Sequence, residues 1–402
     1  MFDQSGAPES VAAASSAVEK QKSPPRIEKV AGSRADIRAF LGGQLAAAVT
    51  TLPRMWRAAP EGSQEGSPEG FVFRLRGGSR ATSARDLVAE GTSLRYGAIV
   101  ALGARHLDEA DQRGILAGQI APAFVDQLVG ALTPQTNPGD IAMVAWAAAA
   151  AGAESLGRSL DHLSQAADRA TQIVPISWAV SAFTAAGDEK GAQAQRDRLL
   201  AAYSAPGQLF PHVTDVTTLP WYRRFLGCFA DQVYPIQALA RFHRAFGDPE
   251  ALEAAERCAR QICYLQGGAG QWWWHYDWRT GAVAEEYPVY AVHQNAMAPM
   301  ALLDLADAGG TVHDEAIRAG LRWLAYSPEI GTTLVDERLG VTWRKVARKD
   351  RGKLVRGARG AAIGMNRRAR LGALDVMFTP RAVDYETRPY ELGWLLDAWL
   401  AR

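Results

Sequence analysis

Cysteine, long apolar runs and net charge are all scarce in this chain, and each shortage removes a class of protein. Three cysteines, Cys228, Cys258 and Cys263, occur in 402 residues without CxxC spacing. An odd count of that kind is neither a disulfide framework nor a zinc site, and it points to buried structural thiols. The longest apolar run, Ile141 to Gly152, is Ala-rich and too short to span a bilayer, and no early stretch has the apolar centre of a secretion signal. A cytoplasmic address is expected from this. Formal net charge is +1, so the whole-molecule field offers nothing to nucleic acid, and none is expected as a partner. HExxH, a P-loop and a strand-linked GxGxxG are all missing, which leaves zinc-protease and nucleotide chemistry without support. His275-x-Asp277 could supply two ligands, but there is no cysteine pair and no second spaced histidine cluster, so neither metal nor cofactor is expected.

What is present suits a large folded core, with 48% hydrophobic and 22% charged residues. The length exceeds a usual single core, so the chain holds either two domains or one architecture extended by stacking repeats. Residues 1–34 are rich in Ser, Ala, Pro and Lys with few large apolar side chains, and are expected to be a flexible tail. Residues 35–58 carry Ile37, Phe40, Leu41 and Leu45 at helical spacing, and 71–76 read as a short strand. Beyond Asp86, helices of similar length alternate. The pairs are 93–105 with 109–132, 140–152 with 155–170, 173–186 with 188–203, 231–246 with 249–266, and 290–308 with 312–326, followed by a last helix at 388–401. Gly247-Asp248-Pro249-Glu250 supplies a C-terminal glycine, an N-cap acid, a first-position proline and a first-turn carboxylate, so one helix ends there and its partner begins. Helices 140–152 and 173–186 are apolar nearly all round, whereas 188–203 and 249–260 have one charged face. Buried inner helices alternating with amphipathic outer ones predict an all-α, (α/α)6-type toroid with a few short β-strands, a single domain over 35–402.

The densest chemistry lies at Gln271-Trp-Trp-Trp-His-Tyr-Asp-Trp278 and Glu285-Glu286-Tyr287-Pro288-Val289-Tyr290. Trp273, Trp274, Tyr287 and Tyr290 offer flat apolar faces that suit sugar rings or prenyl chains, and His275 and Asp277 add polar contacts. Tyr290, then His293 or Gln294, then Met297 share one helix face, as do Asp231, Tyr234 and Ala238. Both helices place polar groups near their N-termini and apolar ones further in. Arg95 and Tyr96 open the first strong helix, Glu386, Arg388 and Tyr390 open the last, and Trp178 is a further aromatic candidate on helix 173–186. A cavity at one mouth of the toroid, where inner helices begin, is the expected site. For hydrolysis Asp231 pairs with Asp277 or Glu286; for elimination or epimerisation at a uronic acid, Tyr234, His293 and Arg388 fill the proton-transfer and charge-neutralising roles. Residues 343–371 form a basic insertion that suits polyanions or an acidic membrane surface, or else a solvated loop.

Residues 254–263 followed by Leu265-Gln266-Gly-Gly-Ala-Gly-Gln-Trp272 resemble the turn of α/α-toroid proteins in which Gln, Gly and Trp close each hairpin. That superfamily includes glycoside hydrolases, polysaccharide lyases, uronyl epimerases and terpenoid cyclases. The Asp-x-Asp-Asp run of protonating terpenoid cyclases is absent, which disfavours their chemistry. The resemblance implies a carbohydrate-active enzyme acting on an oligo- or polysaccharide, by hydrolysis or by elimination or epimerisation at a uronic acid, in synthesis or remodelling of a surface polymer. An isoprenoid-binding or cyclising toroid and a non-catalytic glycan- or protein-binding toroid are the alternatives.

Overall fold

The computed structural model describes residues 26–58, 69–349, 353–366 and 371–401. Its helices are α1 (Arg26–Ala31), α2 (Ala35–Thr51), α3 (Leu94–Ala104), α4 (Glu109–Ile115), α5 (Ala121–Gly130), α6 (Pro138–Ala151), α7 (Leu156–Ala166), α8 (Ile173–Ala186), α9 (Glu189–Ala202), α10 (Ala230–Phe246) and α11 (Pro249–Tyr264). A π-helical turn, His293–Met297, then runs into α12 (Ala298–Asp307), followed by α13 (Asp314–Ala325), α14 (Lys353–Met365), α15 (Gly372–Met377) and α16 (Pro389–Leu400). The punctuation at 247–250 forms as the sequence predicts. Gly247 takes the left-handed conformation at φ 74°, and Asp248 caps α11 by accepting from Ala251 N at 2.9 Å.

Inner helices pack in the closed order α3, α6, α8, α10, α12, α16 and back to α3. Outside them lie α5, α7, α9, α11 and α13, each against the inner helix it follows, and α2 covers α16. The first long helix is thus the outer partner of the last inner one, and the chain closes its own ring. This is the α/α toroid. Burial separates the two layers as expected: α6 and α8 bury all but their ends, whereas α7 and α13 bury a single stripe. The seam between α3 and α16 depends on two glycines. A Cβ on Gly103 would lie 2.3 Å from the Gly393 carbonyl oxygen, and one on Gly393 would lie 2.7 Å from that of Ile99, so the backbones meet where no side chain fits.

Short antiparallel strands stitch together the loops that lead into the inner helices. Arg74–Arg76 lies between Val88–Glu90 and Glu386–Thr387, His275–Asp277 between Leu226–Cys228 and Ala282–Glu285, and Lys345–Arg348 between Val289–Tyr290 and Pro380–Asp384. They gather one end of the ring into a wall. The opposite end is filled by buried ion pairs. Asp304 accepts from Gln237 at 2.9 Å and from Arg241 at 2.7 Å and also pairs with Arg26, while Asp397 meets Arg105 at 2.8 Å and His106 at 3.2 Å. Among the described residues no helix is long and apolar enough to cross a membrane.

Two boundaries move. Of the tail expected over 1–34, residues 1–25 lie outside the described residues, while Arg26 is buried and anchors α1 to Asp304 and Asp307. The basic insertion expected over 343–371 begins inside the fold. Trp343 and Val346 are buried and Lys345–Arg348 is the central strand of a sheet, while Arg344 between them turns to the cavity and to Glu386; residues 350–352 and 367–370 lie outside the described residues.

Candidate functional site

A cavity of about 250 Å³ opens at the end of the ring where the inner helices begin. Arg95, Tyr96 and Ile99 reach it from α3, Val174 and Trp178 from α8, Ala230 and Tyr234 from α10, His293 and Met297 from the π turn, and Tyr390 from α16; Cys228, Phe229, Trp274, Tyr290 and Arg344 come from the short strands and loops between. Their convergence follows from the shared direction of the inner helices: residues remote in sequence meet because each occupies the first turns of its own helix.

The walls are aromatic plates in mutual contact. Trp178 stands edge-on to Tyr234 at 5.2 Å, Trp274 lies 4.7 Å from Tyr290, and Tyr96 lies 4.8 Å from Tyr390, centroid to centroid. His293 is held between Phe229 at 4.4 Å and Tyr290 at 4.9 Å. The π turn carries one residue more per turn than an α-helix, which re-aims its side chains. The carbonyl of Asn295 in that turn accepts from Trp399 Nε1 at 2.6 Å. Burial, with the positive charge of Arg344, pushes the His293 imidazole down to about 3, so the ring is neutral near pH 7. Its Nδ1 has no hydrogen-bond partner among the described residues, and neither has the indole nitrogen of Trp178.

Charge around the cavity is arranged in layers. Arg95 is held by Asp140 and its guanidinium lies 5.0 Å from the Trp178 ring. Arg344 lies 5.1 Å from the ring of Tyr290 and ion-pairs Glu386 behind the wall. Burial raises the Glu386 carboxyl, yet Arg344 and Arg388 outweigh it and hold the group down at about 2. Burial pushes Glu391 up to about 7 in spite of Arg344 and Arg388, and its carboxylate accepts from Arg388 N at 3.2 Å at the start of α16.

The structure brings Arg95, Tyr96, Trp178, Tyr234, Trp274, Tyr290, His293 and Tyr390 of the sequence candidates together around this cavity. Asp231 lies one turn behind Cys228, buried, its carboxylate facing His212 Nδ1 at 3.1 and 3.2 Å and accepting from Cys228 N at 2.7 Å. Others are displaced from the cavity wall for evident reasons. Asp277 is clamped by Arg279 at 2.8 Å and closes the strand turn. Glu286 is exposed. Trp273 packs on Tyr287, whose hydroxyl donates to Glu329, and both brace the 267–273 turn. Gln294 donates to Tyr290 O at 3.0 Å and ties the π turn to Trp272. His275 accepts from Trp274 Nε1 and faces Glu285 at 3.2 Å, so it orients Trp274 from behind. Glu386 and Arg388 form the outer charge layer, Arg388 donating to Tyr96 Oη at 3.0 Å.

No carboxylate lines the cavity among the described residues. The hydrolytic pairing of Asp231 with Asp277 or Glu286 therefore does not form across it. Two residues go unmarked in the sequence. Arg344 is hidden in a basic run, and His212 is a lone histidine in a loop rich in Pro and aromatics. With Cys228 and Asp231, His212 places nitrogen, sulfur and oxygen atoms within 4.8 Å of one another.

The fold defines the chain as an α/α toroid. It is similar to a sugar epimerase from a ruminal bacterium, with TM-score 0.55 and 11% identity over 90% of this chain and 98% of that one. A variant of unsaturated glucuronyl hydrolase from Streptococcus agalactiae, complexed with dGlcA-GalNAc6S, gives 0.52 and 12% over 94% and 93%. A possible member of the GH105 family from Salmonella enterica gives 0.52 and 8% over 90% and 92%. No family model matches the chain, and no curated protein matches it.

Proposed function

We propose that the protein is a carbohydrate-active enzyme that removes a proton next to the carboxylate of a uronic-acid residue bound in the mouth of the toroid, leading to epimerisation or elimination. The observation that carries this is the neutral imidazole of His293 on an aromatic cavity wall where, among the described residues, no carboxylate serves a hydrolytic pair. Sugar rings suit the plates of Trp178, Trp274, Tyr290 and Tyr390. Arg344 and Arg95 supply positive charge to a substrate carboxylate, and that charge stabilises the carbanion or enolate left when the proton goes to His293. Tyr234, which lines the same cavity and whose hydroxyl burial keeps protonated, is the proton donor we assign to the opposite face or to the leaving oxygen. The names of the structural neighbours, a sugar epimerase and a glucuronyl hydrolase, support the choice of substrate class. Synthesis or remodelling of an acidic surface polymer is the setting we propose.

The test is incubation with oligouronides in deuterium oxide, read by mass spectrometry for solvent label at the carbon bearing the carboxylate and by absorbance for an unsaturated product. Label or unsaturation is expected, and His293→Gln should lower the rate by about 100-fold or more. Hydrolysis without label, or full turnover by His293→Gln, would sink the assignment. Ile99, Val174 and Met297 give the cavity an apolar floor that also suits a prenyl chain; conversion of a prenyl diphosphate with no action on uronides would favour that reading instead.

A further inference from the structure

Asp231 differs from three other buried carboxylates of this chain. Asp304, Asp397 and Glu386 each meet at least one arginine. Asp231 is fully buried, and among the described residues its ion-pair partner is His212 alone, with no Lys or Arg in reach. A buried carboxylate without a permanent cation is strongly unfavourable unless something else supplies the countercharge.

The surroundings of Asp231 are built. Gln232, also fully buried, donates to Phe210 O at 2.9 Å and accepts from Phe210 N at 2.8 Å, so it locks the 210–212 loop against the start of α10. Gly227 permits this approach, since a Cβ there would lie 2.5 Å from Phe210 O. The strand Leu226–Cys228 is pinned to His275–Asp277, which fixes Cys228 on the other side. Three chain segments thereby present His212 Nδ1, Cys228 Sγ and the Asp231 carboxylate to one another, all within 4.8 Å. Nitrogen and oxygen ligands about 2.0 Å from one tetrahedral ion lie about 3.3 Å apart. The His212 to Asp231 separations of 3.1 and 3.2 Å match that edge.

We propose that His212, Cys228 and Asp231 bind a divalent transition ion of the zinc class at the mouth of the toroid. The mixed nitrogen, sulfur and oxygen set suits a borderline ion and not calcium or magnesium, which take oxygen ligands. Three protein ligands leave a fourth position open, the arrangement of sites that bind substrate or water and not of closed structural ones. Cys228 lines the cavity, which puts the site beside it, and His212 is 35% exposed, which gives the ion a way in from solvent. The site stands independently of the proton-abstraction reading, and its test uses no substrate.

The full-length protein, treated with chelator and then titrated with cobalt(II), should take up one ion per chain. It should develop the near-ultraviolet band of a thiolate-to-cobalt transition, and zinc(II) should displace the cobalt. Cys228→Ser should abolish that band, and Cys263→Ser, in α11 and outside the cluster, should retain it. His212→Asn leaves the Gln232 to Phe210 lock untouched; it should weaken cobalt binding by about tenfold or more with an unchanged circular-dichroism melt. No uptake by the wild-type chain, uptake without the band, or a band that survives Cys228→Ser would each overturn the site.

Discussion

The two ends of the ring use charge in opposite ways. At the far end, Asp304 and Asp397 are buried with Arg26, Arg241 and Arg105 around them, so each carboxylate has a permanent cation. At the mouth, His293 Nδ1 has no hydrogen-bond partner, and Asp231 has a histidine in place of an arginine as its ion-pair partner, among the described residues. Burial alone does not distinguish them, for Asp231, Asp304 and Asp397 are all nearly inaccessible. The difference is the kind of partner: carboxylates paired with arginine fix the far end of the ring, whereas at the mouth Asp231 faces a histidine and His293 Nδ1 has no partner among the described residues.

The comparison breaks most forcefully at the far end. Asp304→Ala leaves Arg26 and Arg241 without their shared anion and is expected to cost about 3–5 kcal/mol of stability, measured by urea unfolding. A loss below about 1 kcal/mol would mean that the network does not hold the ring. Next comes the seam. Gly103→Ala forces a methyl against the Gly393 carbonyl, which cannot swing away as a side chain would, and should cost about 3 kcal/mol by the same measurement.

The ring and its closure differ in how far the sequence reveals them. Helix punctuation such as Gly247-Asp248-Pro249 and the contrast between apolar α8 and amphipathic α11 are local signals, so hairpins and layers can be read residue by residue. The closure of α3 on α16 through Gly103 and Gly393 depends on a contact between chain ends that no local pattern encodes. The site divides similarly. First-turn residues such as Tyr234, His293 and Tyr390 follow from helix starts sharing one direction. Asp277 misleads because a carboxylate beside tryptophans looks chemical until Arg279, two residues on, is seen to fold back on it. His212 and Arg344 are invisible because their value comes from loops whose course is set by distant partners, Gln232 for one and the strand pairing of Lys345 with Tyr290 for the other.

At the mouth, pH sharpens the contrast. The folded-state value of His293, about 3, lies below the ordinary imidazole value of 6.5. The unfolded chain therefore binds the extra proton first, and the contribution of this residue to stability is present above about pH 6.5 and lost as the pH falls toward 3. Between pH 7 and pH 5 the wild type should lose about 2 kcal/mol more than His293→Gln, measured as the difference between their urea midpoints at the two pH values. Arg344 is the charged group facing His293, and Phe229 and Tyr290 flank it with no titrating carboxylate between. Equal acid sensitivity of the two proteins would show that the imidazole is hydrated and its isolation behind the aromatic plates is not real.

The smallest effect belongs to a residue that sequence alone places at the centre of the chemistry. Glu286 sits between strand Ala282–Glu285 and the buried Tyr287, but its side chain is exposed and makes no ion pair among the described residues. Removing its charge should change stability by no more than about 0.5 kcal/mol. It should leave turnover of a uronide substrate unaltered, because no line of buried groups connects it to the cavity wall. The stability of Glu286→Gln is read from the same urea curves and its turnover from the same label exchange as His293→Gln, so the pair separates location from residue type. A rate loss in Glu286→Gln approaching that in His293→Gln would mean that the loop carrying it folds over the mouth during turnover, and the site would then extend to the surface beside Tyr287.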